Sequence, residues 1–146
     1  MSELRKVLQA SNARIFVLPC LIDIAFICYW IIVAIDVVPE QYMFRDYHTD
    51  FMVAWNWSFL PLDILISLTG LAAAVLWRRS NPVWILVMVI SLSLMFCAGL
   101  QAIAFWWLIE DFDPSWWAMN LVLMIVPLCS VRTLHSELKT MSFDRE

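Results

Sequence analysis

Hydrophobic and polar positions divide the chain into four long apolar runs, over residues 15–35, 51–77, 83–109 and 116–131, with short polar stretches between them. A membrane-spanning helix needs about 20 mostly apolar residues. The first run has that length. The second and third exceed it, so they must tilt, kink or begin in the interface. The fourth is short and has to borrow a turn at each end. The pattern predicts helices over about 15–37, 51–77, 83–109 and 115–133. The expected fold is all-α, an integral membrane four-helix bundle in which residues 1–146 form a single membrane domain. Four spans nearly exhaust the chain, which leaves no room for a soluble catalytic domain.

Composition agrees with that pattern. Of 146 residues, 63% are hydrophobic and 15% charged, where a soluble domain would carry about a quarter charged; the mean hydropathy is +0.79. Arg5, Lys6 and Arg14 resemble the basic leader of a signal peptide. The run behind them is too long for one, Asp23 interrupts it, and no small-x-small cleavage site follows, so a retained first helix is expected. Cys20, Cys28, Cys97 and Cys129 lie in apolar runs without CxxC spacing. They read as packing residues rather than a zinc site or a disulfide framework. Gly70 and Gly99, the two glycines, fall inside predicted helices. Small residues there permit close helix approach, either within the chain or between copies.

The basic residues set an orientation. Arg5, Lys6, Arg14, Arg78, Arg79, Arg132, Lys139 and Arg145 all fall on one side of the predicted spans, and only Arg45 on the other. That other side also holds most of the loop acids, from Asp36 to Asp50 and from Glu110 to Asp113. The positive-inside rule then puts both termini in the cytoplasm, N-in and C-in. Trp77 and Trp84 flank the Arg78-Arg79 turn, while Trp55, Trp57, Trp106, Trp107, Trp116 and Trp117 gather near the opposite ends, as interfacial anchors do. The acidic balance argues against nucleic acid or anionic lipid as partners. Asp46, His48 and Asp50 share a loop and read as solvated residues rather than a cation site.

Against this background the stretch VAWNWSFLPLD, residues 53–63, stands out by placing an amide, a proline and an aspartate in an apolar run. At helical spacing Asn56, Asp63, Ser67 and Gly70 form one thin polar stripe. Pro61 cannot donate its N–H, so the carbonyl near Trp57 is freed and a kink is expected there. A carboxylate at the bilayer centre costs about 2.5–3.5 kcal/mol on insertion scales, so Asp63 should face the interior. Asp23 lies thirteen residues before Asp36, and Asp63 thirteen after Asp50. Counted from that side, the two acids sit at one depth, roughly 20 Å in; if they meet, they share one proton. Gln101 and Asn120 join Asn56 as amides in the same half of the bundle. The expected ligand-binding or proton site therefore comprises Asp23, Asp63, Asn56, Gln101 and Asn120, walled by Trp55 and Trp57 with Trp106 and Trp116. No catalytic residue is assigned. Ser58 and Ser67 lack a His partner, and His48 and His135 lie on opposite sides. No metal, haem, nucleotide or other cofactor motif is present, so none is expected.

The segments VVPEQYMFRDY, VAWNWSFLPLDILISLTG, FCAGLQAIAFW and DFDPSWWAMNLVLMIVPL resemble those of the YvaD-like proteins, small multi-pass membrane proteins of bacilli and their relatives. The resemblance covers roughly residues 20 to 131 and implies a bacterial cytoplasmic membrane address; the family's function is unknown, so it supplies no catalytic residues. A second resemblance is architectural. The sterol-isomerase-like (EXPERA) domains also place an acid in helix one, a Trp and an acid in helix two, and a proline in the last helix, here Asp23, Trp55, Asp63 and Pro127. There, buried carboxylates bind amine-bearing ligands or move a proton across a lipid double bond. This chain departs in putting Pro61 before Asp63 and in its short outer loops. Small multidrug transporters share the acid in helix one, but their glycine-rich third helix is absent here.

Two functional expectations follow. The first is a non-enzymatic role, in packing, with a membrane-protein partner, or in binding a ligand. The second is an EXPERA-like protein that binds a lipid or amphiphilic amine, or isomerises a lipid, through Asp23 and Asp63. Whether the two acids converge on one cavity discriminates between them.

Overall fold

In a computed structural model, which describes residues 2–39 and 42–143 and the side chains of 16–39 and 42–135, each apolar run is helical. The helices are α1 (Ser2–Ile35), α2 (Asp50–Ser58), α3 (Leu60–Arg78), α4 (Trp84–Leu108) and α5 (Pro114–Phe143). No strand occurs among the described residues. Four segments are long and apolar enough to cross a membrane: Phe16–Ile35, Asp50–Arg78, Trp84–Leu108 and Pro114–His135. Each apolar run thus corresponds to a helical segment long and apolar enough to cross a membrane. The apolar pattern does not locate the helix ends, because α1 and α5 run on through polar sequence beyond these segments.

The second span is two helices. Thr49 opens α2, its hydroxyl accepting from the Met52 N–H at 3.4 Å. The helix stops at Ser58, where the Phe59 N–H turns back to the Asn56 carbonyl at 3.1 Å. Pro61 is the cause. It has no N–H for the Trp57 carbonyl, and its ring crowds the preceding turn. Helical bonding resumes with the Asp63 N–H donating to the Phe59 carbonyl at 2.9 Å. The expected kink is there, as a break between α2 and α3.

The spans form a ring, α1 against α3, α3 against α4, α4 against α5, and α5 back on α1 in the thinnest contact of the four. One end holds the α3–α4 turn with Arg78 and Arg79, and is called here the basic end. The other holds the α1–α2 and α4–α5 connections and is the acidic end. Phe16, Ala73, Trp84, Met88 and Leu92 fill the basic end. Ile66, Met95 and Ala98 form the middle, and Phe44, Tyr47, Met52 and Trp106 close the acidic end. Large aliphatic side chains such as Leu68, Leu86 and Ile125 point outward, the arrangement expected where the surroundings are as apolar as the core.

Both glycines serve packing inside the chain. A Cβ at Gly70 would press on the Asp23 carboxyl, with Cγ at 2.9 Å. A Cβ at Gly99 would lie 2.6 Å from the Asn120 carbonyl oxygen. At these points α1 lies close against α3, and α5 against α4. Elsewhere glycine is missing where it would be favoured. Ser80 and Glu110 close α3 and α4 with φ 54°. In α4 the Glu110 N–H reaches the Trp107 carbonyl at 3.2 Å and the Asp111 N–H reaches that of Trp106 at 3.0 Å, the paired bonds of a Schellman end.

Candidate functional site

The α1–α3 seam carries the two acids, and antiparallel packing decides what each one meets. Asp23 faces Gly70, and Ser67 Oγ donates to the Asp23 backbone carbonyl at 3.2 Å. Seven residues along each helix, Trp30 faces Asp63, its Nε1–H donating to Oδ2 at 3.0 Å. The acids are therefore staggered by two turns, on the order of 10 Å: the common depth counted from the acidic side does not hold, and the open question of whether Asp23 and Asp63 meet is answered in the negative. Counting inward from the loop acids assumes an unbroken second helix. The break at Phe59 intervenes, and the register is set at Gly70, which is thin enough to admit a carboxyl.

Their surroundings differ as well. Asp23 is wholly buried, and neither carboxyl oxygen has a hydrogen-bond partner among the described residues. Asp63 is also buried, with Oδ2 held by Trp30 and Oδ1 unpartnered. Next to Trp30 in α1, the Tyr29 hydroxyl donates to Asn56 Oδ1 at 2.7 Å, so α1 is bonded to both halves of the broken segment.

Beside Asp63 lies a cavity of about 280 Å³ in the acidic half of the bundle. Asn56, Asp63, Asn120 and Trp55 of the expected site line it, and Asp23, Gln101 and Trp57 do not. Asn120 binds its own helix, Nδ2 donating to the Trp116 carbonyl at 2.8 Å. Gln101 is exposed on the outer face of α4. Ala98, Ala102 and Trp106 take the inward face, and Gln101 lies about a third of a turn or more away from their centre. Trp57 is 39% exposed and packs outside the cavity on Trp30, with ring centroids 5.4 Å apart. Asp63 and Trp30 also border a second, wholly outward groove between α1 and α3.

Eight of the eighteen lining residues are aromatic, and most of their rings pack on one another or on Phe105 behind them. Trp55 stacks on Phe105 at 4.2 Å and meets Trp106 edge-on at 5.0 Å. Phe44, from the α1–α2 connection, is buried as the roof, 5.4 Å from Trp106 and 5.3 Å from Trp116. Arg45 beside it reaches Asp111 at 3.8 Å, tying the two acidic-end connections together. Between α1 and α5 the wall is thin. The lining residues Met119 and Val122 are 57% and 46% exposed, and Ala25 opposite them is exposed too. The cavity therefore opens sideways, through the apolar belt.

Outside the spans two groups depart from their ordinary titration. The Ser115 hydroxyl, with the Trp116 and Ser115 amides, holds the Asp113 carboxyl below its usual range, and together these bonds cap α5. Burial pushes the Tyr47 phenol up. Among the described residues no group of three His, Cys, Asp or Glu, Asp46, His48 and Asp50 included, is placed to hold a metal.

The model of a family of unknown function, DUF5360, matches residues 13–141. The chain belongs to this family. Within it, the chain is 47% identical over 115 residues to the uncharacterized protein YvaD of Bacillus subtilis (strain 168), covering 79% of this chain and 86% of that one. No solved structure matches. The matched region takes in all four spans, and so the whole cavity of this DUF5360 protein.

Three residues of the site escape a sequence reading. Trp30 is seven residues after Asp23 and so on its face; that spacing is the signal that would have found it. Tyr29 has only its polar tip to recommend it among many aromatics. Phe44 sits in a polar connection, where a lone apolar residue is unremarkable until its burial is seen.

Proposed function

We propose that this protein is a non-enzymatic membrane binding protein whose cavity takes an amphiphile from the bilayer between α1 and α5. The observation that carries this reading is the apolar, aromatic cavity open through the lipid-facing belt, with Asp63 as its one charged lining residue. Apolar pockets with a few convergent polar groups are the usual form of a small-molecule site. A tail fills the seam and the polar head lies toward Asp63 and Asn56. An amine head suits the site best, since a carboxylate and aromatic faces both favour a cation. The stagger of the two acids speaks against an isomerase that would use Asp23 and Asp63 as an acid–base pair across one ligand.

The setting belongs to the same reading: the cytoplasmic membrane of a bacterium, both termini inside, the cavity in the outer half. The distribution of Arg and Lys supports that orientation. Reporter fusions after residue 146, active only in the cytoplasm or only outside it, test it directly.

The ligand reading is tested by unfolding purified protein in detergent against a panel of single-chain amines, alcohols and fatty acids. Amines should raise the wild-type midpoint and leave Asp63→Asn unmoved. A panel in which no compound shifts the wild type would leave the other reading, that the polar residues only pair helices. The bonds Tyr29–Asn56 and Trp30–Asp63 and the sealed Asp23 favour that second reading for the α1–α3 seam itself.

A further inference from the structure

Two buried polar atoms of the cavity residues have no partner among the described residues. One is an acceptor, Asp63 Oδ1, and the other a donor, Trp106 Nε1. Both residues line the same cavity. An orphan polar group of this kind costs about 1–3 kcal/mol, and two of opposite sense in one cavity describe the complement of a head group.

Their positions constrain that head group further. The Ser91 hydroxyl donates to the Ile66 carbonyl at 3.1 Å, and Trp55 packs on Trp106. This antiparallel register places Asp63 opposite residues 94–98 of α4, so Trp106 is two turns or more nearer the acidic end, on the order of 12 Å along the axis. Helical side chains lean toward the N-terminus of their own helix. For α3 that direction is the acidic end, and for α4 the basic end, so Asp63 and Trp106 lean toward each other across the cavity. The remaining gap is too long for one atom that both donates and accepts. It calls for two separate head-group atoms, a donor for Asp63 and an acceptor for Trp106.

We propose that the ligand's head is an amino alcohol, a protonated primary or secondary amine donating to Asp63 with an oxygen two or three bonds away accepting from Trp106. Trp106 is then the specificity-determining residue. The inference rests on the amphiphile reading above and adds the oxygen to it. The head arrives through the α1–α5 seam, and Trp106 exchanges an unmade hydrogen bond for a made one. A quaternary ammonium has no N–H for Asp63 and no oxygen for Trp106, so it forgoes both bonds.

The test uses full-length protein in detergent and three probes with one tail: 2-(dodecylamino)ethanol, dodecylamine and dodecyltrimethylammonium. Affinities are measured calorimetrically for wild type, Trp106→Phe and Trp106→His, the last retaining a ring N–H. A buried hydrogen bond gained in place of an orphan is worth about fivefold or more in affinity. Wild type should prefer the amino alcohol to dodecylamine by at least that factor. Trp106→Phe should erase the preference while still binding dodecylamine, and Trp106→His should restore part of it. Equal binding of the first two probes to wild type, or a preference untouched in Trp106→Phe, overturns the proposal while leaving the amine site standing. Failure of all three probes to bind wild type overturns the proposal together with the reading beneath it.

Discussion

Replacing Gly70 by alanine tests how the α1–α3 seam is built. A Cβ on Gly70 would lie 2.9 Å from Asp23 Cγ and 3.0 Å from Oδ1, and closer still to Oδ2. Non-bonded atoms of this kind settle at about 3.5–4.0 Å, so the seam must open by roughly 1 Å or the carboxyl must turn away. Turning is blocked, because Asp23 is 0% exposed and enclosed on every side. Overpacking at such a site costs about 1–3 kcal/mol. Against that, Gly→Ala inside a helix gains up to about 1 kcal/mol of propensity. The expected net effect is a loss of about 1–2 kcal/mol.

A double-mutant cycle isolates the cause. In Asp23→Ala the oxygens that collide with the new methyl are gone, and so is a carboxyl without partners. In that background Gly70→Ala should be neutral or stabilising, so that the two changes couple by about 1 kcal/mol or more. Unfolding in mixed micelles, followed through the fluorescence of the nine tryptophans, supplies all four free energies. A coupling below about 0.5 kcal/mol, the usual additivity of independent sites, would refute the register on which the stagger of Asp23 and Asp63 depends. Gly99 is the control. Its methyl would meet the Asn120 backbone carbonyl oxygen at 2.6 Å, which no side-chain deletion removes, so Gly99→Ala should stay costly in every background.

Further expectations concern single bonds. Trp30→Phe keeps the ring but removes the donor to Asp63 Oδ2, leaving both carboxyl oxygens unpartnered; a loss of about 1–3 kcal/mol is expected in the same unfolding assay. Glu110→Gly should stabilise by up to about 1 kcal/mol, because Glu110 holds a positive φ of 54° at the end of α4 that glycine adopts freely; an unchanged midpoint would deny the Schellman closure. Asp113 titrates below its ordinary value because it is hydrogen-bonded in the fold. Its contribution is therefore complete above the unfolded-state value near 3.8 and is lost as pH falls through the lower folded value. Midpoints of wild type and Asp113→Asn should accordingly converge toward acid, and a gap that stayed constant with pH would remove Asp113 as the α5 cap.

Much of the fold is legible in the residues because one rule, apolar length, governs it. Four runs are four helical segments long and apolar enough to span a membrane, and Pro61 breaks the second of them for want of an N–H. The inward face is harder to read. In a chain whose core and surroundings are both apolar, a helix shows no clear amphipathic stripe. Leu68 and Ile66 look alike in sequence, yet one is outside and the other inside. For the same reason Gln101 seemed a partner for Asn56 and Asn120, though a polar amide on α4 faces outward. Depth was misread for another reason. Distance from a loop acid is local information, whereas the level at which Asp23 meets α3 is a long-range fact decided by a glycine forty-seven residues away.

The same contrast separates the two acids in function. Asp23 and Asp63 are each an aspartate within an apolar run, and a composition-level argument treats them as a pair. Packing makes them opposites. Asp23 fills a notch that Gly70 provides and borders neither cavity, so a change there acts on how closely α1 and α3 sit. Asp63 has one oxygen bonded to Trp30 and the other without a partner among the described residues, and it borders both the cavity that opens between α1 and α5 and the groove between α1 and α3. In the reading proposed above, a ligand in the cavity would reach the second acid, which lines it, and not the first, which does not. It follows that Asp23→Asn and Asp63→Asn, indistinguishable as chemistry, should separate in the amphiphile assay. The first should move the unfolding midpoint while leaving the ligand-induced shift intact, and the second should abolish that shift. Loss of the shift in Asp23→Asn with the unliganded midpoint unchanged would mean that the seam, rather than the cavity, is where the ligand is read.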